Sequence, residues 1–426
     1  MLRRHAAAGS ARSAEMKQID ANQARRFVWL AFGIYVAAMA VAAVLRIQGD
    51  FNVYYRAGTR VLHGAALYRL DESSHFLYAP VFALMFAPLA ALPLKAAQLA
   101  WCLVSMAGLL AMIVGTNRMI FGRGRTISAA LIVLPLILAQ RFVGNDVEHG
   151  QINLPTLALV IWSIVFAEEG RDRWAGLSLA TALLIKPYAA LGALFLVIER
   201  RWKALGWALL SALGLLLVPA LFFGPRGAMD QTASYVQVVL SMTGRYRLML
   251  TNQSASSAFA RILSLGAHPG TAGASASLYA GTAVELALVL AVAIWCAMSP
   301  AEGRGAMLPR RFPLAALFCL MPSFAPVSWK SYYAALLVPY AVLLVALWLE
   351  PADERDSPRL AWAIVVLSVV LNWIPGKMLN RLALFYSVHF VSSLMLLAAV
   401  VITARWASGG ASADVAGVRP AASGRR

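Results

Sequence analysis

The sequence predicts an all-α polytopic membrane protein, with about 10–13 transmembrane or re-entrant helices and an amphipathic helix in the first outer loop. Three observations predict it. The chain has 426 residues, of which 61% are hydrophobic and only 13% charged, too few charges to cover a soluble domain of that size. Apolar runs of about 17–25 residues, each enough to cross a bilayer, recur along the whole length. Lys plus Arg exceed Asp plus Glu by 37 to 19, and the basic residues gather in short loops between apolar runs, as the positive-inside rule requires.

The net charge of +18 would suggest nucleic acid in a soluble protein. Here no basic and aromatic platform lies outside the apolar runs, so nucleic acid is not an expected partner. Cys102, Cys296 and Cys319 all fall within apolar runs. Three scattered cysteines form neither a disulfide framework nor a zinc spacing and read as small buried side chains.

In chain order, residues 1–26 are basic without an early apolar core, which predicts a cytoplasmic basic tail rather than a cleavable signal peptide. Residues 27–406 form the integral membrane domain, with outer loops at 48–75, 144–151 and 225–278, and 407–426 form a disordered cytoplasmic tail. The first span covers 27–47; Arg25 and Arg26 hold its start in the cytoplasm, so Asp50 emerges outside. Asn52, Arg56, Thr59 and His63 then share one helical face, with Val53, Ala57, Val61 and Ala65 on an apolar side. Such a helix would lie flat on the outer surface with Tyr54 and Tyr55 at headgroup level.

Residues 76–92 are apolar, but a full crossing there would put the basic stretch 117–125 outside. With Pro80, Pro88 and Pro93, a broken, partly inserted outer segment fits better. Spans follow at 96–116, 127–143 and 152–168. Residues 174–198 have basic flanks on both sides, and Lys186-Pro187 divides them. Proline disfavours helix at the residue before it, so the reading is a re-entrant hairpin with Lys186 at its tip; a single proline-kinked span is the alternative. Further spans are 204–224, 279–298, 312–327, 332–349, 360–375 and 382–405. No internal repeat is visible, whereas many transporters show one.

Asp50 reads three ways from local sequence: an N-cap, a partner for Arg46, or a catalytic base. Lys186, central in an apolar segment, is a functional candidate by default, with an anionic headgroup as its natural ligand and snorkelling to the interface as the alternative. Asn145, Asp146, His149, Gln151 and Asn153 crowd a ten-residue stretch between two spans; they suit a hydroxyl-rich ligand or a solvated loop equally. Asp146 and His149 could ligate a metal, but no set of three or four ligands is convincingly spaced. No cofactor is expected, and metal dependence is left open. Asn252 and Gln253 open a Ser-rich helix start, and Glu285 and His389 suit interhelical hydrogen bonds. There is no P-loop, GxGxxG or GxSxG.

Six stretches in order, "GDFNVYYRAGTRVLHGAALY", "FLYAPVFALMFAPLAALP", "HGQINLPTLALVIW", "AGLSLATALLIKPYAALGALFLVIERRW", "NQSASSAFARIL" and "PSFAPVSWKSYYAALLVPY", cover roughly residues 46–340. Together they resemble the integral-membrane GT-C glycosyltransferases, in particular glycosyltransferase family 87, which includes polyprenol-phosphate-mannose-dependent mannosyltransferases. The resemblance implies a GT-C-like fold in the plasma (inner) membrane, with an active site on the extracytoplasmic face. It implies inverting transfer of a hexose, mannose in those members, from a polyprenyl-phosphate donor to a hydroxyl of a glycan, glycolipid or protein. Asp50 falls where the family's proposed base lies. The donor phosphate goes to Lys186, with Arg56 and Lys330, and sugar or acceptor contacts to Tyr54, Tyr55, Asn145, Asp146, His149, Gln151, Asn153, Asn252, Gln253 and Trp329. Where mannosyltransferase members often carry a histidine pair after "SW", this chain has Lys330, Ser331, Tyr332 and Tyr333. A transporter or flippase of lipid-linked sugars is the alternative reading.

Overall fold

A computed structural model describes residues 23, 26–45, 49–123, 129–247, 249–263, 272–299, 308–349, 358–374 and 377–416. The terminal tails, Arg46 and most of the expected cytoplasmic loops at 301–307 and 350–357 lie outside the described residues. The described residues are mostly helical, without a strand, as apolar segments must be when a bilayer offers their backbone no partners. Among the described residues, seven helices are long and apolar enough to cross a membrane.

Helix α1 (Arg26–Leu45) is the first of these. Helix α2 (Gly49–Leu62) is the expected amphipathic helix, and α3 (Pro80–Ala90) is the short proline-bounded segment. Both differ from expectation in what covers them. The apolar side of α2 is sealed by protein, not lipid: Phe51, Tyr54 and Ala57 are buried against Phe82, Phe86 and Trp101. Gly58 permits the contact, because a Cβ there would stand 2.7 Å from Ala90 Cβ and 3.1 Å from the Phe86 carbonyl oxygen.

Helices α4 (Leu94–Phe121), α5 (Ala129–His149) and α6 (Asn153–Glu168) run in alternating directions. Lys95 Nζ donates to the Val44 carbonyl, tying the start of α4 to the end of α1. At the other end, Arg118 of α4 meets Glu169 just after α6, at 2.5 Å.

The segment after α6 turns back on itself. Helix α7 (Asp172–Ile185) ends at Lys186, whose φ −140° and ψ 127° are extended, the conformation a following proline imposes. A 3-10 turn at Pro187–Ala189 leads into α8 (Ala190–Ile198). Two ion pairs fix the direction. Arg311 contacts Glu168 at 2.5 Å, and its neighbour Arg310 contacts Glu199. The residues entering α7 and leaving α8 therefore lie at one end of the bundle. A Cβ on Gly192 of α8 would also come within 3.7 Å of Leu179 Cδ1 on α7, so the two legs run side by side. This is the hairpin the flanking charges predict, not a single kinked span.

Helix α9 (Trp202–Arg247) runs far past the expected end at residue 224, bending at Gly224 with φ 71°, so much of the expected loop 225–278 is helix. Helices α10 (Ala255–Leu263) and α11 (Ala272–Met298) follow. Helix α12 (Leu308–Leu320) stops before residue 327: Pro322 and Pro326 break the remainder into turns. A 3-10 stretch, Lys330–Leu336, then enters α13 (Leu337–Leu344). Helix α14 (Arg359–Asn372) precedes α15 (Lys377–Phe385) and α16 (Val388–Ala416), so the span expected at 382–405 begins only after a break at Ser387, with φ 53°.

Candidate active site

At the end of the bundle opposite Arg118, Arg310 and Arg311, four segments converge: the first turn of α2, the turn joining α5 to α6, the hairpin tip, and the 3-10 stretch after α12. Asp50 sits in the first turn of α2 and is partly exposed. Its Oδ2 accepts a hydrogen bond of 2.7 Å from Gln151 Nε2. Burial raises the Asp50 pKa from the usual carboxylate value, opposed by the Gln151 hydrogen bond and the charges of Lys186 and His149.

Gln151 is gripped from behind. Its Oε1 accepts from Asn153 Nδ2 at 2.7 Å and from Ser331 Oγ. Asn153 Nδ2 also lies 2.8 Å from Asp146 Oδ1 and 3.0 Å from Ser331 Oγ, while Tyr188 Oη donates to Asn153 Oδ1 at 3.4 Å. Asp146 is 0% exposed. A continuous polar row thus runs from Asp50 into the protein.

Beside this row stands Lys186, 6% exposed. Its Nζ donates to Tyr332 Oη at 2.7 Å and lies 4.4 Å from the Tyr332 ring centroid and 5.0 Å from that of Tyr78. A buried ammonium persists where hydrogen bonds, ring faces and opposite charge replace water. The Tyr332 hydroxyl and two rings supply the first two, and both Asp50 and Asp146 feel its charge.

The structure brings Asp50, Asp146, Gln151, Asn153 and Lys186 together. It also adds Ser331, Tyr332, Tyr78 and Tyr188, which sequence reasoning did not assign. Their only sequence signal was membership of "SWKSYY", "FLYAP" and "KPY".

Other expected residues lie elsewhere. Tyr54 is not at headgroup level: it is 1% exposed, with its hydroxyl 2.7 Å from that of Tyr78 and its ring against Phe82, Phe86 and Trp101. It supports Tyr78 from behind. The Tyr55 hydroxyl donates to the Leu92 carbonyl. Arg56 turns to the Ser74 carbonyl and Glu72, away from Lys186. Asn252 is consumed locally, its Oδ1 accepting from Ser254 N and Ser328 N and its Nδ2 donating to backbone carbonyls. Asn252 thus fastens the loop before the 3-10 stretch, and Gln253 donates to the Leu250 and Leu384 carbonyls, tying the start of α10 to α15. Asn145 and His149 lie within hydrogen-bonding distance of each other, and Trp329 packs edge-on to Tyr246. Lys330 lies near Arg141 and Glu148. Among the described residues no group of three or more His, Cys, Asp or Glu could hold a metal ion.

Chemically, the arrangement offers a carboxylate open on one side, oriented by an amide, with a fixed cation close by. It suits removal of a proton from a hydroxyl next to a departing anion.

The sequence model of glycosyltransferase family 87 matches residues 76–323, a window that holds the hairpin and the α5–α6 turn. Among curated relatives is a polyprenol-phosphate-mannose-dependent alpha-(1-2)-phosphatidylinositol pentamannoside mannosyltransferase of Mycobacterium tuberculosis (strain CDC 1551 / Oshkosh). It is 28% identical over 334 residues, covering 75% of this chain and 71% of the relative. A polyprenol-phosphate-mannose-dependent alpha-(1-2)-phosphatidylinositol mannoside mannosyltransferase of Mycolicibacterium smegmatis is 25% identical, covering 82% of this chain and 84% of the relative. One of the same description from Mycobacterium tuberculosis (strain ATCC 25618 / H37Rv) is 25% identical, covering 91% of this chain and 94% of the relative. No solved structure gives a significant match.

Proposed function

The chain belongs to glycosyltransferase family 87, and from that premise we propose that it moves a hexose, mannose by the names of its relatives, from a polyprenyl-phosphate carrier to an acceptor hydroxyl. The observation that carries the mechanism is the Asp50 carboxylate, partly exposed and held by Gln151 at 2.7 Å, in electrostatic reach of Lys186. The acceptor oxygen attacks the anomeric carbon and its proton passes to Asp50. The bond from that carbon to the phosphate oxygen breaks, and its electron pair leaves with the polyprenyl phosphate. Lys186, with Lys330, stabilises the charge growing on the phosphate. One displacement inverts the anomeric centre, so a β-linked donor gives an α-linked product without a covalent intermediate.

By the positive-inside rule, the basic end of the bundle faces the cytoplasm and the site faces the other side of the plasma membrane. A lipid-linked donor fits that side, where nucleotide sugars are not supplied. The acceptor class is a glycolipid, glycan or protein hydroxyl.

The test supplies purified protein with polyprenyl-phosphate-mannose and a panel of acceptors. Asp50→Asn keeps the shape and removes the base, and should lower turnover by roughly 10²–10⁴-fold. Undiminished turnover would remove Asp50 from the mechanism. A flippase would move the donor without releasing polyprenyl phosphate when acceptor is added.

A further inference from the structure

On the outer flank of the bundle, an apolar groove of about 410 Å³ runs between α1, α5 and α14, within the usual range for small-molecule sites of about 300–1,000 Å³. Phe32 and Tyr35 line it from α1, Ile132, Leu136 and Gln140 from α5, and Trp373 closes it beyond α14. Ile132 to Gln140 spans about 12 Å of helix. Of its polar lining groups, Tyr35 donates its hydroxyl to Gln140 Oε1 at 3.0 Å. Apart from the Gln140 amide nitrogen, the rest of the lining is hydrocarbon and ring surface. Ile137 and Trp373 are exposed at its lip, where the bilayer would lie.

The chemistry changes at the Gln140–Trp373 end. Arg141 places its guanidinium carbon 5.9 Å from the Trp373 ring centroid. Its Nε is buried and has no hydrogen-bond acceptor, which native structures rarely leave unexplained. Lys330 lies in electrostatic reach of Arg141 and of Glu148. Among these three groups the charge is net positive. It also adjoins the active site: Lys330 is followed by Ser331 and Tyr332, which bond Gln151 and Lys186.

An apolar channel whose end carries a guanidinium and an ammonium complements a long hydrocarbon chain ending in a phosphate. We propose that this groove holds the polyprenyl chain of the sugar carrier, and that Arg141 and Lys330 make the direct contacts to its phosphate. This rests on the donor reading above. Lys186, enclosed by Tyr78 and Tyr332, then acts on the same phosphate through charge rather than contact.

The experiment measures binding of a radiolabelled C55 polyprenyl monophosphate to the full-length protein in phosphatidylcholine nanodiscs. Arg141→Gln and Lys330→Gln should each weaken binding about tenfold, the loss of one charge-assisted hydrogen bond. Leu136→Trp, which fills the groove at a partly exposed position, should weaken the C55 ligand but not geranyl phosphate. Matching melting temperatures would establish that each variant folds, and Arg141→Lys should recover part of the affinity. Unchanged C55 affinity in the two charge variants, or in Leu136→Trp, overturns the groove assignment while leaving the donor reading standing. Equal competition by phosphatidylglycerol also overturns it, since the groove would then be a general anionic-lipid site. Failure of the wild type to bind C55 phosphate, with glycosyl transfer intact from another donor, overturns the donor reading itself.

Discussion

The side chains between Asp50 and Asp146 form a row in which one end sets the direction of the rest. An amide can present either its oxygen or its nitrogen, but Asp146 Oδ1 already takes the backbone N–H of Asn153 and so stands as an acceptor. Asp146 Oδ1 therefore fixes the nitrogen of Asn153 toward itself. The second proton of that nitrogen goes to Gln151 Oε1, which leaves Gln151 Nε2 facing Asp50. A fully buried carboxyl group thus acts as a positioning residue for the donor that holds Asp50. The pH dependence follows. As the proposed base, Asp50 must be ionised to take a proton, and burial already raises its pKa, so activity should fall on the acid side at a pH above the ordinary carboxylate range. The Gln151 hydrogen bond lowers that pKa. In Gln151→Met it is lost, the pKa rises further, and the acid limb of the kcat/KM profile should move to higher pH. A limb that stays put, or moves to lower pH, would separate Gln151 from the titrating group.

At the scale of elements, the hairpin α7–α8 carries Lys186 to the site, and its placement depends on close packing against α9. A Cβ on Gly176 would stand 2.5 Å from Ala208 N and 2.5 Å from Trp207 Cβ. Backbone cannot swing aside as a side-chain tip can, so Gly176→Ala must push α7 from α9. The expected cost is about 1–3 kcal/mol, read as a lower melting temperature in detergent. Gly206→Ala, with open space around it, is the control and should melt no lower than wild type, because alanine favours helix over glycine. The hairpin was legible in the sequence because a basic flank on each side of one apolar run contradicts a crossing, and Lys-Pro marks where the helix must stop. The walls around Lys186 were not. Tyr332 is separated from it by 146 positions and Ser331 from Gln151 by 180, and no local pattern records such pairings. The burial of α2 was also hidden, since an amphipathic face looks the same whether lipid or protein covers it. Asn252 and Gln253 misled for a related reason: polar residues at a helix start signal hydrogen bonds, but not whether a ligand or the backbone receives them.

At the scale of the whole molecule, the two ends of the bundle are chemically opposed. One end is held by ion pairs among residues at helix ends and in the turns beside them: Glu169 with Arg118 and Arg123, Glu168 with Arg311, and Glu199 with Arg310. The other end carries Asp50, Gln151 and the tyrosine-walled lysine. Catalysis on a lipid-linked donor needs that separation, because the loops that fix orientation in the membrane must not compete for the donor's phosphate. The arrangement makes a sharp topological prediction. The turns at 169–171 and 199–201 lie at the same end, although an apolar segment joins them, and Ser73 lies beyond α2 at the other. The native cysteines Cys102, Cys296 and Cys319 are buried, so single cysteines can be introduced against a quiet background. In right-side-out vesicles, a membrane-impermeant maleimide should label Ser73→Cys directly. Arg171→Cys and Arg200→Cys should both react only after permeabilisation. If one of these two labels from outside and the other does not, residues 174–198 cross the membrane once, and Lys186 loses its place at the tip of a hairpin.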